Sequence, residues 1–222
     1  MIKKYEFTEE TKVICGRKLH KIRALRDFND VKAGDLGGFI EKEENLSHEG
    51  NCWVYNNAKV YDNAKIYGDA IICGNAEIYG NAKIYGNAVI RGNAEIYGNA
   101  EICGNAEIYG NAIIYGNAKI YGRAVICGNA IIYGCAKIYN GKWDKSHLYI
   151  QGTKWAFYVS SENTITTGCQ IHTFEEWQKN YKQIAKEHDG LEVLTEYIRY
   201  FNLACEMYGK EEYKIDLKEE AA

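Results

Sequence analysis

Five histidines, eight cysteines and nineteen tyrosines carry most of the chemical potential of this 222-residue chain. In Gly168-Cys169-Gln170-Ile171-His172 a thiol and an imidazole are separated by two residues, the only Cys–His neighbourhood in the sequence. On a strand running into a helix cap at Thr173, the pair reads first as a packed strand end. The N–H groups at the start of the helix nevertheless make Cys169, His172 and Thr173 a candidate anion or ligand site. Cys73, Cys103 and Cys127 have no adjacent His or carboxylate pair to activate a thiolate. No C-x-x-C pair occurs, which suits reduced thiols better than disulfides or structural zinc. No phosphate-loop motif is present, and neither a metal nor a cofactor is expected.

The elements that position these residues follow from a repeat. From Trp53 to Tyr139 the chain recurs every six residues as x-Ile-Tyr-Gly-Asn-Ala, with fifteen consecutive Val or Ile from Val54 to Ile138. Ala (Cys52 in the first unit) lies two residues before each aliphatic, which puts both on one side of a short strand with the residue between facing outward. Two residues after it comes a left-handed turn position, Gly in twelve units and Asn56, Asp62 and Asn140 in the others. Such short units must stack to bury their apolar side. The register extends back through Leu46 and Ile40, giving one further coil with a two-residue insertion near His48-Glu49.

This pattern resembles the hexapeptide-repeat left-handed β-helix superfamily, which implies three hexads per triangular coil and a left-handed wind. The fold class is therefore mainly β: a left-handed parallel β-helix of about six coils. An N-terminal β-hairpin, Tyr5–Phe7 and Leu19–Ile22 about a turn at Cys15-Gly16, caps its open end. A small C-terminal appendage contains strands at Leu148–Gln151, Trp155–Ser160 and Thr164–Ile171. Its first helix opens with the capping box Thr173-Phe-Glu-Glu176 and closes at Asp189-Gly190; the second spans Leu191 to Tyr208. The predicted boundaries are 1–37, 38–142 and 143–222, with a frayed tail after Lys210.

Residues eighteen apart stack, so three faces can be separated. The first places Trp53, Ile71, Val89 and Val125 outward with Arg91 beside them, a candidate interface for the C-terminal helices or for a second copy of the chain. The second carries Tyr61, Tyr79, Tyr97, Tyr115 and Tyr133, read as structural stacking and, functionally, as a candidate aromatic platform for sugar rings or bases. The third interleaves Lys with Tyr and is broken by Glu101. The solenoid holds seven basic and six acidic residues and the chain 27 against 30, so nucleic acid is not an expected partner.

The superfamily resemblance also implies an acyltransferase, since many members use a His on or near a coil with a protruding loop. No His lies between Trp53 and Tyr139, and His48 and His147 flank opposite ends. Ala24–Ile40 with Glu43–Ser47, and Gly168–Trp177, resemble the opening and closing segments of uncharacterised phage and prophage hexapeptide-repeat proteins. The expectation is a non-enzymatic phage accessory protein that sequesters a host protein or small nucleotide signal. A structural phage component and a hexapeptide-repeat acyltransferase are the alternatives. Met1-Ile2-Lys3-Lys4 opens no signal-peptide core and no apolar run spans a membrane, so a cytoplasmic location is expected.

Overall fold

The computed structural model describes residues 3–188 and 190–217. Met1-Ile2, Asp189 of the anticipated helix end and the 218–222 part of the tail lie outside it. The chain divides into two compact units, Met1–Ser146 and His147–Ala222.

The first unit is a parallel β-solenoid of about six turns. Its rungs are two-residue strands, and each outward residue and its aliphatic neighbour pair with those one turn on, as Glu95-Ile96 does with Glu77-Ile78 and Ile113-Ile114. Every Ala and Ile from Ala58 to Ile138 at the inward positions is buried. The Val/Ile column is the core because a two-residue spacing points both side chains inward, and its β-branched residues suit a pleated surface. The added coil is present: Ile40 pairs with Val60 and Leu46 bridges Ile66, each twenty residues on, while Val54 pairs with Ile72 at eighteen. That difference is the insertion around His48.

The turn glycines are held left-handed, Gly86 at φ +70°, and a Cβ there would lie 3.0 Å from the Gly104 nitrogen one turn on. Asn56 and Asp62 adopt the same conformation, at φ 54° and 58°. Asn140 does not. The left-handed residue there is Gly141 at φ 85°, because the last turn is one residue short and pairs Val125 with Lys142 and Ile126 with Trp143. The solenoid thus runs one rung further than the hexad pattern, closed by Trp143 in place of an aliphatic.

The hairpin forms as anticipated, with β1 (Tyr5–Ile14) and β2 (Arg17–Ala24) joined at Cys15-Gly16, both at positive φ. It does not stand apart from the solenoid. β2 pairs antiparallel with β3 (Leu36–Ile40), which pairs with the rung at Lys59-Val60, so the hairpin continues the second face's sheet. Gly37 and Gly38 allow that approach, since a Cβ on them would lie 2.6 Å from the Val54 carbonyl and 2.5 Å from the Ala58 carbonyl. Lys4 plugs the first coil. It is fully buried, its ammonium donates to the Cys52 carbonyl at 2.8 Å, and burial lowers its pKa.

The second unit carries a four-stranded antiparallel sheet, Tyr149–Gln151, Ala156–Ser161, Thr164–Thr167 and Gln170–Thr173. The run read as one strand from Thr164 to Ile171 is two, folded back at Gly168 (φ +60°). Helices α1 (Phe174–Glu187) and α2 (Leu194–Met207) follow, and Phe174, Trp177 and Phe201 pack into one aromatic core, with Trp177 and Phe201 4.4 Å apart. Among the described residues no helix is long and apolar enough to cross a membrane.

Candidate functional site

The outward columns differ from their expected roles in ways set by packing. Trp53 is buried at 1% exposure beneath Phe28, 5.3 Å away and edge-on, and beside Tyr5. The candidate interface therefore loses its first member, because the segment between β2 and β3 folds over it. Ile71 and Val89 remain adjacent on one sheet, but Glu107 separates Val89 from Val125. Arg91 is committed to Glu107 at 3.2 Å and lies over the Tyr109 ring.

The tyrosine column stacks on itself. Centroids from Tyr61 through Tyr79, Tyr97 and Tyr115 to Tyr133 are 5.0, 4.9, 5.2 and 5.6 Å apart and nearly parallel. Tyr61 is buried with Leu19 and Phe39 under the hairpin. Ring faces so occupied cannot receive a base or sugar between them, and the column has the geometry of the structural stacking read from the sequence. Burial raises the pKa of Tyr61 and Tyr79. Beside the turns run asparagine ladders unnoticed in the sequence: Asn63 donates to Asn81, Asn81 to Asn99 and Asn99 to Asn117, side chain to side chain, at 3.0–3.2 Å. Their signal was the Asn that follows nine of the twelve turn glycines.

At the Cys169–His172–Thr173 cluster the helix start is taken up by its own cap. The Thr173 hydroxyl accepts from the Glu176 N–H and the Glu176 carboxylate accepts from the Thr173 N–H, so the helix start already holds a carboxylate. Glu175 adds a second negative charge. His172 is half-buried with its pKa lowered by burial. Cys169 is exposed and lines an aromatic cavity to which His172 and Thr173 do not contribute.

A second cleft, about 350 Å³, lies at the added coil, bordered by Glu43, Ser47, His48, Lys65 and Tyr67. The Lys42–Leu46 turn, whose backbone is tied by Asn45 to the Asp62 and Ala64 carbonyls, positions Glu43, and the insertion positions His48. His48 stacks on Tyr5 at 4.3 Å, and its Nδ1 accepts the Lys4 backbone N–H at 3.1 Å. The neutral ring therefore carries its proton on Nε2, 3.8 Å from Glu43 Oε2. Burial lowers the His48 pKa, and the Lys3 ammonium holds the Glu43 carboxyl low. Sequence reasoning placed His48 outside the repeats; the added coil brings it onto the solenoid with a carboxylate neighbour.

No family model matches the chain. A stretch of 63 residues is 43% identical to a protein named "Uncharacterized acetyltransferase YdcK" from Escherichia coli (strain K12), covering 25% of this chain and 19% of that protein. The chain thus spans about a fifth of the length of the curated relative it matches. This match overturns the reading as a non-enzymatic phage inhibitor, and with it the expectation that the protein is not an enzyme. That reading rested in part on the absence of His from the fifteen hexads. The phage resemblance finds no support in the match.

Proposed function

We propose that the protein is an acyltransferase that moves an acetyl-type group from a thioester donor to an amine or hydroxyl. The observation that carries this reading is the 43% identity to a protein named as an acetyltransferase, in a chain built on a parallel solenoid of about six turns. The cleft at the added coil supplies a complementary pair: Glu43 accepts a proton and the His48 Nε2–H donates a hydrogen bond. Acyl transfer requires both, an acceptor for the nucleophile's proton and a donor for charge developing on the carbonyl oxygen. The nucleophile forms a bond to the carbonyl carbon, the C–S bond breaks, and the departing thiolate takes up a proton. Lys3 keeps Glu43 ionised.

Calorimetric titration with acetyl-coenzyme A, followed by labelled acetyl transfer to a panel of small amines and sugars, tests the proposal. Saturable binding is expected, with turnover reduced about 100-fold or more in Glu43→Gln at unchanged circular dichroism. Absence of donor binding to the folded protein would overturn the acyltransferase reading. Full turnover in Glu43→Gln would move the chemistry away from this cleft.

A further inference from the structure

The second unit holds a half-open cavity of about 140 Å³ that neither the proposed transfer nor the relative's name assigns. Trp155, Trp177, Tyr181 and Tyr197 line it, along with Leu194 and Ala185. Two of these walls are pinned. A Cβ on Gly168 would lie 3.0 Å from Trp155 Cδ1 and one on Gly190 2.8 Å from Trp155 Cζ3, so both glycines leave room for this indole. The Tyr197 hydroxyl accepts from the Trp155 N–H and donates to the Trp155 carbonyl, both at 2.6 Å, which fixes the two rings together and uses up that phenol. Trp177 is buried and stacks against Tyr181 at 5.8 Å. Among the described residues the lining includes no Asp, Glu, Lys or Arg.

Thr167, Cys169, Gln170 and His188 supply the polar part of the lining. The Thr167 hydroxyl is buried and has no hydrogen-bond partner among the described residues. A buried, unpaired hydroxyl costs free energy that a ligand atom can recover. An apolar cavity of roughly 150 Å³ accommodates a benzene ring. We propose that this cavity is a binding site for a small neutral aromatic molecule, one ring bearing a single hydroxyl or amino group that hydrogen-bonds to Thr167. The site lies wholly within the second unit and stands independently of the acyltransferase reading.

Calorimetric or saturation-transfer NMR titration of the full chain with phenol and with toluene tests it. Phenol is expected to saturate with a Kd below about 1 mM, and toluene more weakly. Thr167→Val should raise the phenol Kd about five-fold and leave toluene unchanged, because it removes the hydroxyl and keeps the shape. Ala185→Leu fills the cavity and should abolish both at unchanged melting temperature. Should Ala185→Leu fail to fold, the wild-type and Thr167→Val titrations decide. No saturation by either probe, equal affinities for phenol and toluene, phenol binding that survives Ala185→Leu, or tighter binding of tetramethylammonium than of phenol would each overturn the assignment.

Discussion

In the solenoid, Ile78, Ile96 and Ile114 lie one above another in a single paired column, and each has the same environment as its neighbours. In the second unit, Phe174, Trp177 and Phe201 meet once, and no other residue repeats their contact. The first region spreads stability over equivalent rungs joined by regular backbone bonds; the second concentrates it in unique packing and one capping box. Repetition makes the solenoid tolerant of small surface changes and intolerant of any inward one, since a tube one side chain wide has nowhere to displace a polar group. The second unit, with room between helices and sheet, keeps a cavity.

The largest expected effect tests that narrowness. Ile96→Asp places a carboxylate among fully buried aliphatics, a cost of several kcal/mol, and should abolish the solenoid's cooperative transition in scanning calorimetry. A soluble Ile96→Asp variant melting like the parent would break the register. Next comes the turn: Gly86→Ala adds a Cβ at positive φ against the backbone of Gly104 and should cost about 1–2 kcal/mol in urea midpoint analysis. An unchanged midpoint would show that the turns are not close-packed. Removing a cap acts on the other region: Thr173→Ala deletes one side of the capping box and should lower the second unit's stability by about 1 kcal/mol, leaving the solenoid's transition in place. Coincident shifts in both transitions would erase the distinction between the regions.

The smallest effect is that of pH. Burial lowers the pKa of His48 in the first unit and of His172 in the second, while in the unfolded chain both titrate near 6.5. As pH falls through about 6.5 the unfolded chain takes up protons that the folded one does not, so stability declines until the folded values are reached. Urea midpoints at pH 5 should fall below those at pH 7.5, and His48→Gln should flatten the solenoid's share alone. A steeper acid loss in His48→Gln would reverse the sign argued for that residue.

Much of this was legible beforehand because a six-residue period leaves few options. Inward Ile and Ala, parallel rungs, the left-handed Asn56 and Asp62, the added coil through Ile40 and Leu46, and the Thr173–Glu176 box all follow from spacing and backbone preference, which are local. The candidate site was far less legible. His48 and its two-residue insertion were visible, but its alignment with Glu43 depends on the Lys42–Leu46 turn, held by Asn45 to carbonyls nearly twenty residues on. The aromatic cavity joins Trp155, Thr167 and Ala185 from a loop, a strand and a helix whose spacing carries no mutual signal.

Local chemistry decided which residues face inward, where the chain turns and how one helix begins, since those depend on neighbours within a few positions. Only the tertiary structure decided that Trp53 is covered by Phe28 and that Asn140 yields its turn to Gly141. Each outcome turns on which distant residue arrives first at a shared space, and steric exclusion between non-local groups leaves no mark in a linear pattern.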